Sequence, residues 1–320
     1  TGRPGPVVVE LPKDMLNPAI KFEYEFPKTT ELRTYSPNTK GHSKQIRKAV
    51  TTILEAKKLV IYSGGGIVIS NTSEQLTHLV ESLNAPITNT LMGLGGISGV
   101  HPNFVGMLGM HGTLEANKAM ANADVILALG ARFDDRVTNN VKKFCPNATI
   151  VHVDVDPTSI SKTIKAHIPV VGCLATVLEQ LQAGIDKSPI KIDRSAQEDW
   201  WRQIISWREQ KCLSYNTDGD KIKPQAVIEA VYKATNGDAY VSSDVGQHQM
   251  FAAQYYPFKH PRQWINSGGL GTMGFGLPAA MGVKLAFPDK ESVCITGDGS
   301  IQMNIQELST CLQYNLAVKV

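Results

Sequence analysis

The sequence predicts an α/β protein with two consecutive doubly wound parallel-sheet domains, preceded by the end of a third domain. Two observations lead to this prediction. Short runs that are apolar at nearly every position, typical of strands buried on both faces, alternate with amphipathic runs of helical period. Glycine-rich turns follow several of these strands and lead directly into helices, at the positions where open α/β sheets bind ligands. With 320 residues, the chain is long enough for about two domains.

The first 42 residues are expected to lie outside the two sheets. Residues 7–9, three valines after a turn, predict the last strand of the preceding domain, and the prolines, glycines and polar residues that follow predict a linker. The chain starts without Met and stops at what resembles the start of a strand, so we expect an internal piece of a longer protein. The predicted parts are 1–16, end of a domain; 17–42, linker; 43–185, central domain; 186–223, linker with a tryptophan-bearing helix; and 224–320, a second α/β domain truncated at its C-terminus.

Strands and helices alternate along the central domain. The predicted strands span residues 59–62, 86–90, 124–129, 148–153 and 168–171. The predicted helices span residues 45–57, 73–83, 114–121, 157–164 and 174–181. Such strands, separated by helices, indicate a parallel sheet that is covered on both sides.

The last domain shows the same alternation after a tryptophan-bearing helix. That helix, predicted at 197–212, carries Trp200, Trp201 and Trp207, which we expect to pack against a neighbouring domain. Pro224 suits the first turn of the next helix, which extends to about residue 235. Strands are predicted at 239–243, 264–266 and 292–296, and helices at 246–255, 274–286 and 301–314.

Composition and charge exclude several classes of function. Hydrophobic residues make up 42% of the chain and charged residues 19%, which is typical of a globular protein with a sizeable core. The net charge of +3 comes without a basic stripe interleaved with aromatics, so no nucleic-acid partner is expected. No apolar run reaches the roughly 20 residues that cross a bilayer, so no membrane association is expected. Five widely spaced cysteines fit a reducing, cytoplasmic location, with an organellar targeting signal left open.

Gly297-Asp298-Gly299-Ser300 lies between a predicted strand and a predicted helix. Amides at a helix N-terminus can bind an anion, and glycines let a ligand approach the backbone closely. Asp298 adds a carboxylate of the kind that Mg²⁺ prefers. The motif therefore predicts a site for a diphosphate bridged by a divalent cation, with an ordinary Asp-Gly turn as the alternative.

Two further glycine-bearing junctions follow predicted strands of the last domain. Gly246-Gln247-His248 starts a helix after the strand that ends in Asp244, and its side chains can donate hydrogen bonds to phosphate oxygens, although capping or packing is the alternative for His248. The cluster at 266–280 contains Gly269-x-Gly271-x-x-Gly274, which matches the fingerprint of an NAD site. The preceding strand is short and polar and no strand ending in an acid follows, which speaks against NAD.

Together these junctions resemble the diphosphate-binding domain of thiamine diphosphate enzymes, whose Gly-Asp-Gly is followed further along by a pair of asparagines. The chain ends before that second half of the motif. Over essentially its whole length, the chain resembles the catalytic large subunit of acetohydroxyacid synthase, also called acetolactate synthase, and its bacterial members in particular. The residues that carry this resemblance are Gly2 to Pro6, Leu11 to Asp14, Met107 to Gly112, Gly130 to Arg136, Asp154 to Pro157, Gly246 to Met250 and Gly268 to Ala280.

The resemblance implies a thiamine diphosphate site in the last domain. Met273 would separate the two rings of thiamine diphosphate and hold them in a bent conformation, with core packing as the alternative for a lone methionine. Asp298 would bind Mg²⁺. The implied contacts of thiamine diphosphate are Gly246, Gln247, His248, Gly271, Met273, Gly297, Gly299 and Ser300.

In the central domain the resemblance implies an FAD site. An acid after a strand is expected near a ribose or adenine, and the charged run at 132–136 needs partners or a ligand. A common turn is the alternative for the three glycines at 64–66. The implied FAD contacts are Gly64, Gly65, Gly66, Met107, Gly109, Met110, His111, Gly112, Arg132, Asp134, Arg136, Asp154 and Asp156.

The implied reaction is decarboxylation of pyruvate and transfer of its two-carbon unit to a second 2-keto acid, with FAD present but without net redox chemistry. Arg136 would bind the substrate carboxylate, and Lys13 would line the channel, with a surface lysine as its alternative. In this family the activating glutamate lies on the N-terminal domain and two chains build each active site. The 320 residues alone are therefore expected to be inactive, and a homodimer or larger assembly is implied.

Two other functions stay open at this point. One is a different flavin-carrying thiamine diphosphate enzyme, such as a pyruvate oxidase or a carboligase for another 2-keto acid. The other is a nucleotide-binding relative without catalytic activity. The sequence does not identify the preferred second keto acid, a small regulatory subunit, the activating glutamate or the second Mg²⁺ ligand.

Overall fold

The computed structural model describes residues 2–21, 23–29 and 36–320. The three valines predicted as a strand at 7–9 pair with no strand among the described residues, and their side chains are 75–91% exposed. Because that strand was assigned to the preceding domain, it stays a prediction. A strand needs a neighbouring strand to satisfy its backbone, and the described residues offer none here. The predicted linker at 17–42 forms no helix or strand where it is described, and residues 22 and 30–35 of it lie outside the described residues.

The central unit is built on a six-stranded parallel sheet. Its strands are β1 Leu59–Ser63, β2 Ile87–Asn89, β3 Phe104–Met107, β4 Val125–Leu129, β5 Thr149–Asp154 and β6 Ile168–Val171. Their spatial order is β3-β2-β1-β4-β5-β6, so the strand order reverses between β1 and β4. Ligands of doubly wound sheets bind at this reversal, outside the carboxyl ends of the strands. Sequence analysis missed β3, in which Gly106 has a positive φ of 95°.

Seven helices of the described residues cover this sheet on both faces. They are α1 Ser43–Glu55, α2 Gly65–Ile69, α3 Ser73–Leu83, α4 Leu114–Asn122, α5 Asp135–Thr138, α6 Leu174–Lys187 and α7 Arg194–Arg208. The tryptophans of α7 pack against this unit as expected: Trp200 is buried, and its indole N–H donates to the carbonyl of Leu59 at 3.1 Å. The predicted helix at 157–164 is wrong, because Asp156 binds the amide and hydroxyl of Thr158 in a turn, and Ser161 has a φ of 59°.

The second unit contains a four-stranded parallel sheet. Its strands are β7 Tyr240–Ser243, β8 Trp264–Asn266, β9 Ser292–Ile295 and β10 Val318–Lys319, in the order β10-β9-β7-β8. Its helices are α8 Pro224–Ala234, α9 Gln247–Tyr255, α10 Gly276–Ala286, α11 Asp298–Gln302 and α12 Glu307–Gln313. The single helix predicted at 301–314 is therefore divided into α11 and α12. At the break, the side-chain amide of Asn304 donates to the carbonyl of Gly274 at 2.6 Å.

The two units share an apolar interface. Leu94 and Met107 of the first unit belong to one buried cluster with Tyr256 and Phe258 of the second. A polar contact adds to it: the side-chain amide of Gln254 donates to the carbonyl of His111 at 2.7 Å. A cavity of about 190 Å³ lies at this interface. Among the helices of the described residues, none is both long and apolar enough to cross a membrane.

Candidate functional site

Three strand-to-helix junctions of the second sheet open at one edge. Because β7, β8 and β9 are parallel, their carboxyl ends lie together, and the chain leaves them towards α9, α10 and α11. The sequence motifs at 246–250, 266–280 and 297–300 occupy these junctions. The structure thus brings the predicted thiamine diphosphate residues of the last domain to one edge.

Asp244 connects the three junctions, and sequence analysis assigned it no role. Its side chain is buried. Oδ1 accepts a hydrogen bond from the amide of Gly276 at 2.9 Å, and Oδ2 accepts one from the hydroxyl of Thr296. These bonds hold the start of α10 against the β9–α11 turn. The signal available in the sequence was an acid placed directly after a buried strand.

His248 lies between two glycines at this edge. A Cβ atom on Gly246 would lie 3.0 Å from its Cε1, and one on Gly297 would lie 2.9 Å from the same atom, so a larger residue at either position would displace the ring. Its Nε2 is buried and has no hydrogen-bond partner in the described part of the chain. Burial lowers the pKa of the His248 imidazole, while the charges of Asp244 and Asp298 oppose this effect. A buried ring nitrogen without a partner can, when it carries the proton, donate a hydrogen bond to an anionic ligand.

The Gly297 to Ser300 turn presents a carboxylate to solvent. Asp298 is exposed, and its Oδ1 accepts a hydrogen bond from the amide of Gly299 at 2.9 Å, whereas Ser300 is buried. Within the described ranges, no group of three or more His, Cys, Asp or Glu side chains is placed to hold a metal ion. Asp298 therefore fits a metal ion only as one ligand among others from a diphosphate, water or further residues.

Met273 lies beside the same turn. A Cβ atom on Gly299 would lie 3.4 Å from the Met273 methyl carbon, and 43% of the Met273 side chain is exposed. Gly271 and Gly274 flank it with positive φ angles of 65° and 79°. Core packing, the alternative for this methionine, does not apply to a side chain that is nearly half exposed. Gln247 is also exposed at the start of α9.

The glycines of the first sheet meet at its strand-order reversal. A Cβ atom on Gly64 would lie 2.4 Å from the carbonyl oxygen of Gly130, and one on Gly66 would lie 2.7 Å from the Gly130 Cα atom. The amide of Gly66 donates to that carbonyl at 3.1 Å. Close backbone approach between the ends of β1 and β4 thus accounts for Gly64 and Gly66. Gly130 itself has a φ of 58°.

Met92, which sequence analysis did not single out, joins the two edges. A Cβ atom on Gly65 would lie 3.2 Å from the Met92 Cβ atom, and one on Gly268 would lie 2.6 Å from its sulfur. The β1–α2 turn of the first sheet and the β8–α10 loop of the second therefore face each other across one side chain. Met92 is partly exposed there.

The loop from Met107 to Gly112 reaches the charged segment after β4. Met107 is buried and Met110 is exposed, and the amide of Met110 donates to the carbonyl of Arg136 at 2.9 Å. Gly109 has a φ of 108°, and a Cβ atom there would lie 2.7 Å from the same carbonyl. Further along the loop, a Cβ atom on Gly112 would lie 2.2 Å from the Met107 carbonyl oxygen.

In the charged segment at 132–136, some side chains form ion pairs with each other and others do not. Arg132 forms an ion pair with Asp134, whose Oδ1 also accepts the amide of Arg136 at 3.2 Å and so caps α5. The guanidinium of Arg136 is exposed and forms no ion pair with any other described residue. It is available for an anionic ligand.

The acid that ends β5, Asp154, and the acid that follows it, Asp156, lie in different environments. Burial raises the pKa of the Asp154 carboxyl, although a hydrogen bond from the amide of Asp156 opposes this effect. The hydroxyl and amide of Thr158 lower the pKa of Asp156, which also lies 3.9 Å from the Arg3 guanidinium. Lys13 lies in the exposed N-terminal segment and is not part of either sheet edge.

Family models match both units. Residues 46–181 match the central domain of thiamine pyrophosphate enzymes, and residues 244–320 match their C-terminal TPP binding domain. The chain belongs to the thiamine pyrophosphate enzymes. Membership in this family confirms the predicted fold class, and the edge of the second sheet lies within the residues that match the TPP binding domain.

Curated relatives within the thiamine pyrophosphate enzymes align with the chain over its whole length. It is 59% identical to the acetolactate synthase isozyme 3 large subunit of Escherichia coli and 55% identical to the acetolactate synthase large subunit of Haemophilus influenzae, each over 320 residues. It is 43% identical to the acetolactate synthase of Mycobacterium bovis over 321 residues. The chain spans 56%, 56% and 52% of the length of these three relatives. The predicted resemblance to acetolactate synthase large subunits is confirmed.

Proposed function

We propose that the protein is the catalytic subunit of an acetolactate synthase. It would join the two-carbon unit of pyruvate to a second 2-keto acid, giving acetolactate or acetohydroxybutyrate for branched-chain amino-acid biosynthesis. The observation that carries this proposal is the identity of 55–59% over the whole chain with the proteins of that name from Escherichia coli and Haemophilus influenzae. The glycine-rich edge of the second sheet supplies a matching site.

Thiamine diphosphate would bind at the carboxyl edge of the second sheet. His248, with its buried unpartnered nitrogen, would bind the diphosphate together with Gly246, Gln247 and the Gly297 to Ser300 turn. Asp298 would provide one carboxylate ligand to Mg²⁺. Met273 would support the bent cofactor beside Gly299. When bound, thiamine diphosphate supplies the electron sink for decarboxylation and carbon–carbon bond formation.

FAD would bind at the strand-order reversal of the first sheet. The turns after β1, β4 and β5 provide Gly64 to Gly66, Arg132 and Asp154, and the Met107 to Gly112 loop lies against the segment after β4. We propose that FAD has a structural role there, because the proposed reaction includes no net transfer of electrons. Asp156, whose carboxylate already binds Thr158, would contribute less to this site than Asp154.

The substrate carboxylate would bind to Arg136. Its guanidinium is exposed and unpaired within the described chain, and its planar fork matches a carboxylate in two parallel hydrogen bonds. Asp134 fixes the backbone of Arg136 without neutralising its side chain, because it accepts from the amide. Lys13 would line the channel to this site from the N-terminal segment.

The remaining parts of the site would come from outside these residues. We propose that residues 1–16 end a pyrimidine-binding domain, that 43–185 form the FAD domain, and that 224–320 form part of the thiamine diphosphate domain. The activating glutamate and a second Mg²⁺ ligand would come from other segments, and a second copy of the chain would complete each active site. A small regulatory subunit is a further proposed partner. The 320 residues alone would then form no acetolactate.

The test uses the natural protein, expressed from its own gene and purified. Its visible spectrum is recorded for bound flavin, and acetolactate formation from pyruvate is measured with thiamine diphosphate and Mg²⁺ omitted in turn. Flavin bands and acetolactate formation that needs both additions would support the proposal. Peroxide or acetyl phosphate as the product would instead indicate a pyruvate oxidase, and bound cofactors without turnover would indicate a non-catalytic relative. Acetolactate formation by residues 1–320 alone would contradict the proposed need for other segments.

A further inference from the structure

His152 is a fully buried histidine to which none of the proposed roles refers. It lies on β5 beside Ala128 of β4. Its Nε2 lies 2.9 Å from the carbonyl oxygen of Ala131, and its Nδ1 has no hydrogen-bond partner in the part of the chain that the structure describes. Because a carbonyl oxygen can only accept, Nε2 carries the proton. Burial lowers the pKa of the imidazole, so the ring stays neutral and this tautomer persists at neutral pH.

The His152 ring contacts both chain neighbours of Arg132. On one side its N–H donates to Ala131, and on the other side Phe133 packs edge-on against it, with ring centroids 5.1 Å apart at an angle of 88°. Phe133 has a φ of 54°, a conformation that a bulky residue rarely adopts. The strain of such a residue persists only where surrounding contacts hold it. The His152 ring is one of these contacts.

The same histidine lies next to the acid at the end of its own strand. Residues two apart on a strand share a face, and the Asp154 carboxylate lies 3.9 Å from His152 Nε2. One ring therefore contacts the turn that bears Arg132 and the carboxylate of Asp154. These two charged groups stand at the ends of neighbouring strands, β4 and β5. They are two of the residues assigned to FAD.

We propose that His152 is a positioning residue of the dinucleotide site: it fixes the turn from Ala131 to Arg136 relative to Asp154, so that both present their charges to one bound FAD. This inference rests on the proposed FAD site and goes beyond it by naming the group that holds that site's geometry. A merely space-filling role predicts that any apolar side chain of similar volume would serve equally well. The positioning role requires a donor at the place of Nε2.

Three substitutions of His152 separate these roles. In His152→Gln the side-chain amide nitrogen reaches the place of Nε2 and can donate to Ala131. In His152→Asn the amide is shorter and ends near the place of Nδ1. His152→Leu fills space without a donor. Tyr62→Phe is the matched control, because Tyr62 is buried in the same aromatic cluster, 5.4 Å from the Phe133 ring, and its hydroxyl has no partner within the described residues.

Two readouts on the natural protein test the proposal. The first is FAD affinity, measured by flavin fluorescence when the flavin-free protein is reloaded. The second is amide hydrogen exchange over residues 130–138 in the flavin-free protein, which does not depend on activity. We expect the asparagine and leucine variants to bind FAD about tenfold more weakly, as for the loss of one buried hydrogen bond, and to exchange faster over these residues. The glutamine variant and Tyr62→Phe should stay within about threefold of the wild type.

The outcomes that overturn the proposal are distinct. If the leucine variant binds FAD and exchanges like the wild type, His152 only fills space. If glutamine is as damaging as asparagine, the donor to Ala131 is not what matters. Should the leucine variant fail to fold, the comparison of glutamine with asparagine decides alone. If the wild type binds no FAD, the proposed function fails, whereas the exchange rates still show whether His152 holds the turn.

Discussion

Replacement of Gly297 by alanine tests how closely the glycine turn and His248 are fitted to each other. The added Cβ atom would lie 2.9 Å from His248 Cε1 and 3.0 Å from its Nδ1. Gly297 has a φ of −112°, which alanine adopts freely, so the backbone adds no strain. The conflict is therefore confined to the ring, which must move by about 0.5 Å to restore an ordinary contact.

Two different magnitudes follow from this geometry. Overpacking in a protein interior costs about 1 to 3 kcal/mol, and we expect the lower end, because no hydrogen bond within the described residues holds the ring in place at Nε2. Binding should suffer more. A displaced His248 would lose the geometry of its proposed hydrogen bond to the diphosphate, and a hydrogen bond to a charged group contributes about 1.5 to 3 kcal/mol. At about 1.4 kcal/mol per factor of ten, thiamine diphosphate affinity should fall roughly 10- to 100-fold.

Calorimetric titration of thiamine diphosphate in the presence of Mg²⁺ measures the affinity, and urea unfolding measures the stability. Gly269→Ala is the matched control, because its Cβ atom would meet nothing within 4 Å. Unchanged affinity in Gly297→Ala would show that the position of His248 does not determine thiamine diphosphate binding. So would an equal loss in Gly269→Ala, since the effect would then not depend on His248.

Three further predictions concern stability. Gly66→Ala should lower the free energy of unfolding by about 2 to 3 kcal/mol and release flavin, because its Cβ atom would lie 2.7 Å from the Gly130 Cα atom. Urea unfolding measures the first effect, and a visible spectrum of bound flavin measures the second. Gly282→Ala, at an open and exposed site in α10, should raise the free energy of unfolding by about 0.5 to 1 kcal/mol, and a lower urea midpoint would contradict this. The pKa of His152 is depressed in the folded protein, so the unfolded chain binds more protons as the pH falls below about 6.5. Acidification from pH 7.5 to 5.5 should therefore destabilise the wild type more than His152→Gln. Equal losses of stability in the two proteins would show that His152 does not contribute.

The sequence predicts the parallel sheets well because their strands are apolar on both faces. All five strands predicted in the central domain end within one residue of the observed carboxyl end, although β3 was not predicted. Elements decided by tertiary contacts were not predictable in this way. The α2 helix begins at two glycines, which disfavour a helix, and forms where Gly66 packs against Gly130. The helix predicted at 157–164 does not form, because the side chain of Asp156 accepts the hydrogen bond of the Thr158 backbone amide in a turn.

The candidate site likewise contains residues that the sequence predicts and residues that it does not predict. Motif residues such as Gly246, His248 and Asp298 stand at one sheet edge, as the spacing of strands and glycines predicts. The residues that hold the turns at the two sheet edges belong to no sequence motif. Asp244, Met92 and His152 act through contacts with residues distant in the sequence, and a single sequence does not reveal such contacts.

We propose that the carboxyl edge of the second sheet would bind thiamine diphosphate through a metal ion held at Asp298. Equilibrium dialysis of thiamine diphosphate against the natural protein, with Mg²⁺ present or chelated, tests it most directly when the wild type is compared with Asp298→Ala. We expect binding by the wild type that requires Mg²⁺ and is at least tenfold weaker in the variant. Binding that is equal in both proteins and indifferent to Mg²⁺ would contradict it.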